Sequence, residues 1–99
     1  MKIFSDKECT QEITELKLGV VDAGFSKDFT FYLLNESEAK LSEIKVLIDH
    51  PEIKVTKCPK EMVESSKDIL EIKWSPSITL KKPLKVSFVI EDEALYEPK

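Results

Sequence analysis

Four stretches of this sequence alternate their side chains with a period of two, a rhythm that only extended chain converts into a single buried face. Phe29, Phe31 and Leu33 alternate with Thr30, Tyr32 and Leu34, and Ile44, Val46 and Ile48 with Lys45, Leu47 and Asp49. Leu70, Ile72 and Trp74 alternate with Ile69, Glu71 and Lys73, and Leu84, Val86, Phe88 and Ile90 with Lys85, Ser87, Val89 and Glu91. Each set reads as a strand with its first members turned inward. Weaker strand signals at Lys2 to Ser5, Ile13 to Val20, Glu52 to Lys57 and Ala94 to Tyr96 bring the expected number to seven or eight. Turn residues separate them: Asp22-Ala23-Gly24, Asn35-Glu36-Ser37, His50-Pro51, Ser65-Ser66-Lys67, Ser75-Pro76-Ser77 and Lys82-Pro83.

Helical spacing competes at two places, Ser37 to Lys45 and Pro59 to Ser66, where one short helix or 3₁₀ turn is expected. Elsewhere the abundance of isoleucine, valine and aromatic residues favours strands. The class expected is therefore all-β, and so many short strands in 99 residues suggest two antiparallel sheets stacked as a sandwich. A chain of this length has one core, so residues 1–99 read as a single domain.

Charge and residue types then exclude chemistries. Nineteen acids against fifteen bases leave a net charge of −4, the wrong sign for a surface that binds by neutralising phosphates. All the bases are lysine, so the planar guanidinium fork that grips phosphate or guanine is missing. No nucleic-acid partner is expected. No apolar run approaches the ~18 residues of a membrane span, and Met1-Lys2-Ile3-Phe4-Ser5-Asp6 lacks the apolar stretch of a signal peptide. The expectation is a protein made in the cytoplasm, without export and without a membrane.

The chemistry-bearing residues are few. His50, the one histidine, lies between Asp49 and Pro51 with Glu52 next, but no nucleophile motif accompanies it and three ligands from one turn make poor coordination. Glu91-Asp92-Glu93 reads as a solvated turn leading to the terminal piece, since the glycine and spacing of a calcium loop are missing. Gly19 and Gly24 cannot make a phosphate loop, and Asn35-Glu36-Ser37 fits a glycosylation sequon that a non-exported chain never presents. Cys9 and Cys58 lie 49 positions apart and either stay as free thiols or form one bridge. No catalytic residue, cofactor, metal or small-molecule substrate is expected.

The segment Leu18-Gly19-Val20-Val21-Asp22-Ala23-Gly24, followed by Lys27-Asp28-Phe29-Thr30-Phe31-Tyr32-Leu33-Leu34-Asn35-Glu36-Ser37, resembles hydin-type and major-sperm-protein-like immunoglobulin domains. There, a glycine-framed approach leads into a strand that ends in an Asn-x-Ser-like turn. Ile69-Leu70-Glu71-Ile72-Lys73-Trp74-Ser75-Pro76 is similar to their late strand closing in a proline. The likeness covers residues 13 to 91. It implies one immunoglobulin-like sandwich of seven to eight antiparallel strands, with Trp74 as a core anchor whose indole N–H needs a partner. Such modules serve as cytoskeletal subunits, adaptors, pilus chaperones and accessory parts of phage particles. Here Glu64-Ser65-Ser66-Lys67 replaces the glycine usual before the late strand, and no basic cluster matches the peptide-binding surface of the sperm-protein-like adaptors.

The resemblance thus implies a non-enzymatic subunit that decorates or joins a larger assembly such as a phage virion. The alternative is a soluble adaptor that captures a peptide or partner strand at a sheet edge. Candidate contact residues follow from the alternation: Leu47 and Val89 point outward on neighbouring strands, and Tyr32 and Leu34 do the same on the other sheet. Lys81, Lys82 and Lys85 crowd one end of the last long strand, and Glu91, Asp92 and Glu93 the other, about 20 Å or more away at ~3.3 Å per residue. Such a dipolar domain is expected to stack end to end or to orient on a charged protein partner.

Overall fold

The computed structural model describes residues 1–95. Among the described residues eight strands form: β1 (Lys2–Phe4), β2 (Leu16–Gly19), β3 (Lys27–Leu34), β4 (Lys40–Ile48), β5 (Ile53–Lys57), β6 (Lys67–Trp74), β7 (Leu84–Val86) and β8 (Phe88–Leu95). All pairings are antiparallel, and among the described residues there is no helix. The strands fall into one four-stranded sheet in the order β1-β3-β6-β5 and two two-stranded sheets, β2-β7 and β4-β8.

The all-β class holds, but three sheets stand where two were expected, and the cause is local. The last long alternating run is broken at Ser87, so its first half pairs with β2 and its second half with β4. A single apolar cluster nevertheless draws on all three sheets: Ile3, Phe31, Leu33, Ile53, Leu70 and Trp74 from the large one, with Leu16, Leu18, Leu41, Val46 and Val86 from the small ones. Burying side chains of this size stabilises the fold by ~1.5–3 kcal/mol each.

The helical spacing at 37–45 turns out to be a β-bulge. β4 begins at Lys40, and its register shifts between Ser42 and Lys45 with Glu43 at φ 51°. The extra residue moves the buried set from Leu41 to Ile44 and Val46, and that offset imitates a helical repeat. The other candidate helix, 59–66, is a loop. Its Met62 forms an isolated bridge with Leu41, and Ser65 at φ 52° takes the left-handed turn where glycine was missed. Gly24 adopts φ 85° at the β2–β3 turn, and Gly19 φ 71° at the register shift of β2 against β7.

Other boundaries move as well. Only Leu16–Gly19 of the 13–20 stretch is strand. Glu91-Asp92-Glu93 is not a turn: it lies within β8, where Glu91 stands opposite Lys45 and Glu93 opposite Ser42. Ala94 and Leu95 continue that strand rather than forming a separate one, and Tyr96 lies outside the described residues.

The registers set two ends on a molecule 55 Å long. Lys27 stands opposite Trp74, Ile53 opposite Trp74, and Ile48 opposite Phe88, which gathers loops 20–26, 49–52 and 75–83 at one end. Those loops are tied together: the Gly24 N–H donates to the Pro76 carbonyl at 3.2 Å, the Ala23 N–H to Thr79 Oγ1 at 2.8 Å, and the Ser77 N–H to the Glu52 carboxylate at 2.8 Å. Loops 35–39 and 58–66 and the end of β8 lie at the other end.

Asn35 organises that second end. Fully buried, it closes its own turn by accepting from the Ser37 N–H at 3.0 Å, as its place in the sequence suggests. Its amide also donates to the carbonyls of Ala39 at 3.0 Å, Met62 at 3.2 Å and Val63 at 2.9 Å, which ties the 58–66 loop to the start of β4. Trp74 is 0% exposed as expected, but among the described residues its indole N–H has no hydrogen-bond partner.

Candidate functional site

The outward face of β4 and β8 carries the exposed apolar pair that alternation points to. Leu47 and Val89 are direct cross-strand partners, 49% and 58% exposed. Their neighbours Val46, Ile48, Phe88 and Ile90 turn toward the core, so the pleat leaves this pair in water. Tyr32 and Leu34 behave differently. Both are half-buried, because Tyr32 stands between Phe4 and Ile69 and Leu34 between Lys2 and Lys67 on the outer face of the large sheet. The open apolar face therefore belongs to β4-β8.

Beside Leu47 the surface sinks into a groove of about 880 Å³, walled by β4 from Glu43 to Leu47, by Val55 of β5, and by Cys58, Lys60 and Glu61. The irregular segment after β5 builds its far wall, since the Ile44 N–H donates to the Lys60 carbonyl at 3.2 Å. Its apolar lining is Ile44, Val46, Leu47, Val55 and the Cys58 thiol. Cys58 and Cys9 are both free, so no bridge joins them. Partial burial pushes the Cys58 thiol pKa up, Asp68 adds to that, and the Val46 N–H facing the sulfur works against it.

The groove's own rim carries Glu43 and Glu61 with Lys45 and Lys60. A second hollow shares Glu43 and Lys45 with it and is lined by Glu91, Asp92 and Glu93. Across the two hollows, five carboxylates face two lysines, Lys45 and Lys60. Lys40 holds Glu61 at 3.0 Å, which leaves the β8 acids as the larger share of the unpaired charge. Lys81, Lys82 and Lys85 are exposed at the head of the β7–β8 run, so the structure keeps the two charge groups on separate parts of the molecule.

His50 is engaged within its own turn. Its Nδ1 accepts from the Glu52 N–H at 3.2 Å, and its ring meets Trp74 edge-on at 6.4 Å between centroids. Bonds from the Ser77 side lower the Glu52 pKa, with a smaller contribution from His50. Among the described residues no three of His, Cys, Asp and Glu gather as metal ligands would, and no helix is long and apolar enough to cross a membrane.

Sequence reasoning missed two features. One is the groove wall at Val55 and Cys58, which depends on how the loop after β5 folds back along β4. The other is Phe25, the most exposed of the large apolar residues among those described at 68%, with Ile78 at 64% on the adjoining loop. An aromatic residue directly after a turn glycine was a legible signal for the first of that pair. Compared with family models, with curated proteins and with solved structures, the chain matches none of them.

Proposed function

We propose that this chain is a non-enzymatic interaction subunit of a larger assembly, built as an immunoglobulin-like sandwich and docking through the outward face of β4-β8. The four-stranded sheet makes one layer of that sandwich. The β2-β7 and β4-β8 pairs make the other, across the shared apolar cluster. The observation that carries the reading is the Leu47–Val89 pair: two apolar side chains held side by side in water, next to a groove with apolar walls and a charged rim. Apolar centres within polar rims are the ordinary anatomy of protein–protein contacts. A phage virion, the setting that the resemblance implies, is the assembly to test first.

The test is gradient sedimentation of native extracts or purified particles containing the chain. The wild type is expected in fractions far heavier than a free monomer. Leu47→Glu is expected to return it to the light fractions with its β-type circular dichroism unchanged, because the substitution is made at an exposed position. A wild-type chain found only as a free monomer overturns the reading, as does a Leu47→Glu chain that stays in the heavy fractions.

A further inference from the structure

The loop end carries an apolar tip with no use inside its own molecule. Phe25 and Ile78 stand in solvent on two loops that are fastened to one another by the Gly24–Pro76 and Ala23–Thr79 bonds and by the Ser26–Ser75 hydroxyl pair at 2.8 Å. The Phe25 N–H further closes its turn on the Asp22 carbonyl at 3.1 Å. The aromatic ring is thus displayed on an ordered turn, which lowers the entropy lost when it is docked. Lys81 and Lys82 follow Ile78 closely on the same exposed stretch, at an end that also carries the carboxylates of Asp22, Asp49 and Glu52, the last of them bonded to the Ser77 N–H.

This tip is the chemical complement of the groove beside Leu47. One side offers an aromatic and a branched apolar side chain with two lysines. The other offers Leu47, Val55 and Cys58 as apolar walls, a rim on which Lys45 and Lys60 stand with Glu43 and Glu61, and beside it the hollow lined by Glu91, Asp92 and Glu93. No residue of the tip lines the groove within one molecule.

We propose that the occupant of the groove is a second copy of this chain, which inserts Phe25 and Ile78 beside Leu47 and sets Lys81 and Lys82 against the β8 acids. This rests on the reading of the β4-β8 face as a docking surface, and names its partner. The two halves are different surfaces, so the contact is heterologous and adds copies head to tail rather than closing a two-fold dimer. Opposite charges at the rim make it stronger at low salt.

Sedimentation velocity of the purified chain over a concentration series tests this. The expected result is a reversible ladder of dimers and longer species that shrinks as salt is raised. Phe25→Ser keeps the groove and loses the tip, and Leu47→Glu does the reverse. Each alone is expected to associate about thirtyfold more weakly or worse, the size of effect typical of a central aromatic anchor. Mixed in equal amounts, the two variants are expected to form a one-to-one dimer that grows no further, because together they hold one intact tip and one intact groove. A wild type that stays monomeric at high concentration and low salt overturns the proposal. So does a Phe25→Ser chain that associates like the wild type, or a mixture that stays monomeric. If the purified wild type is monomeric while the chain still sediments in a Leu47-dependent heavy complex, the second copy is excluded and the docking face stands.

Discussion

Replacing Asn35 tests most sharply the account of the end formed by loops 35–39 and 58–66. The side chain is fully buried and its amide supplies two hydrogens to three carbonyls, while its oxygen takes the Ser37 N–H and hydroxyl. In Asn35→Ala the partners at Ser37 and Val63 are near enough to the surface to regain water. The carbonyls of Ala39 and Met62 face the interior but keep one donor each, the Ser37 hydroxyl at 3.0 Å and the Leu41 N–H at 2.9 Å. Each lost hydrogen bond is worth ~0.5–1.5 kcal/mol net, so losing the ties to Ala39, Met62 and Val63 together with the packing of the side chain gives about 3 kcal/mol. A domain of this size has only ~5–15 kcal/mol of stability, and the loss corresponds to a fall of about 12–24 °C in Tm. Asn35→Asp goes further, because it sets a carboxylate against three carbonyl oxygens. That environment raises the folded-state pKa of the new acid, so the variant is least destabilised in acid and loses stability as pH rises above the unfolded carboxyl value of ~4. Urea titrations at acid and neutral pH measure both effects, with the slope m reporting whether the unfolding remains comparable. An Asn35→Ala cost below ~1 kcal/mol, or an Asn35→Asp chain insensitive to pH, would refute the assignment of Asn35 as the bond that joins loop 58–66 to β4.

Three further outcomes are expected. Ser65→Gly relieves the left-handed strain at φ 52° and is expected to raise stability by about 0.5–1 kcal/mol in the same titration, with no change in the outward face. Asp6, bonded by Thr10 and Gln11, and Glu52, bonded by Ser77, have lowered pKa values in the folded state, so their contributions are present above the unfolded carboxyl values and fade as pH falls through the lowered folded ones; Glu52→Gln is expected to flatten the acid limb of a plot of Tm against pH. Both cysteines are free, but burial holds the Cys58 thiol in its protonated form, so a thiol-reactive probe at neutral pH is expected to label Cys58 more slowly in the folded chain than in urea.

The strands with cleanest alternation were the most legible, and β3 and β6 pair residue for residue from Lys27 opposite Trp74 to Leu34 opposite Lys67. Where the backbone departs from regular pleating, legibility fails. The bulge at Glu43 produced a spurious helical spacing, and the break at Ser87 divided one expected strand between two sheets. The acids at 91–93 were misread as a turn because three adjacent carboxylates suit solvent, and a strand whose outer residues are exposed satisfies that preference equally well. Trp74 lies at the core as read, though without the partner that its indole N–H was expected to find. Of the candidate contact residues, Leu47 and Val89 were readable from the pleat alone, whereas Tyr32 and Leu34 are half-covered by neighbours that alternation does not reveal.

From its order of residues alone this chain is committed to extended structure, to one core and to a surface without arginine, because period, length and side-chain type act locally and need no partner. Which strands became neighbours, where the register slipped, and that Val55 and Cys58 join Leu47 in a groove were decided by the folded molecule. The physical reason is that hydrogen bonds between strands are backbone bonds, indifferent to sequence one by one. Pairing is chosen only when all the apolar faces find a common interior, and the surfaces left over are the consequence of that choice.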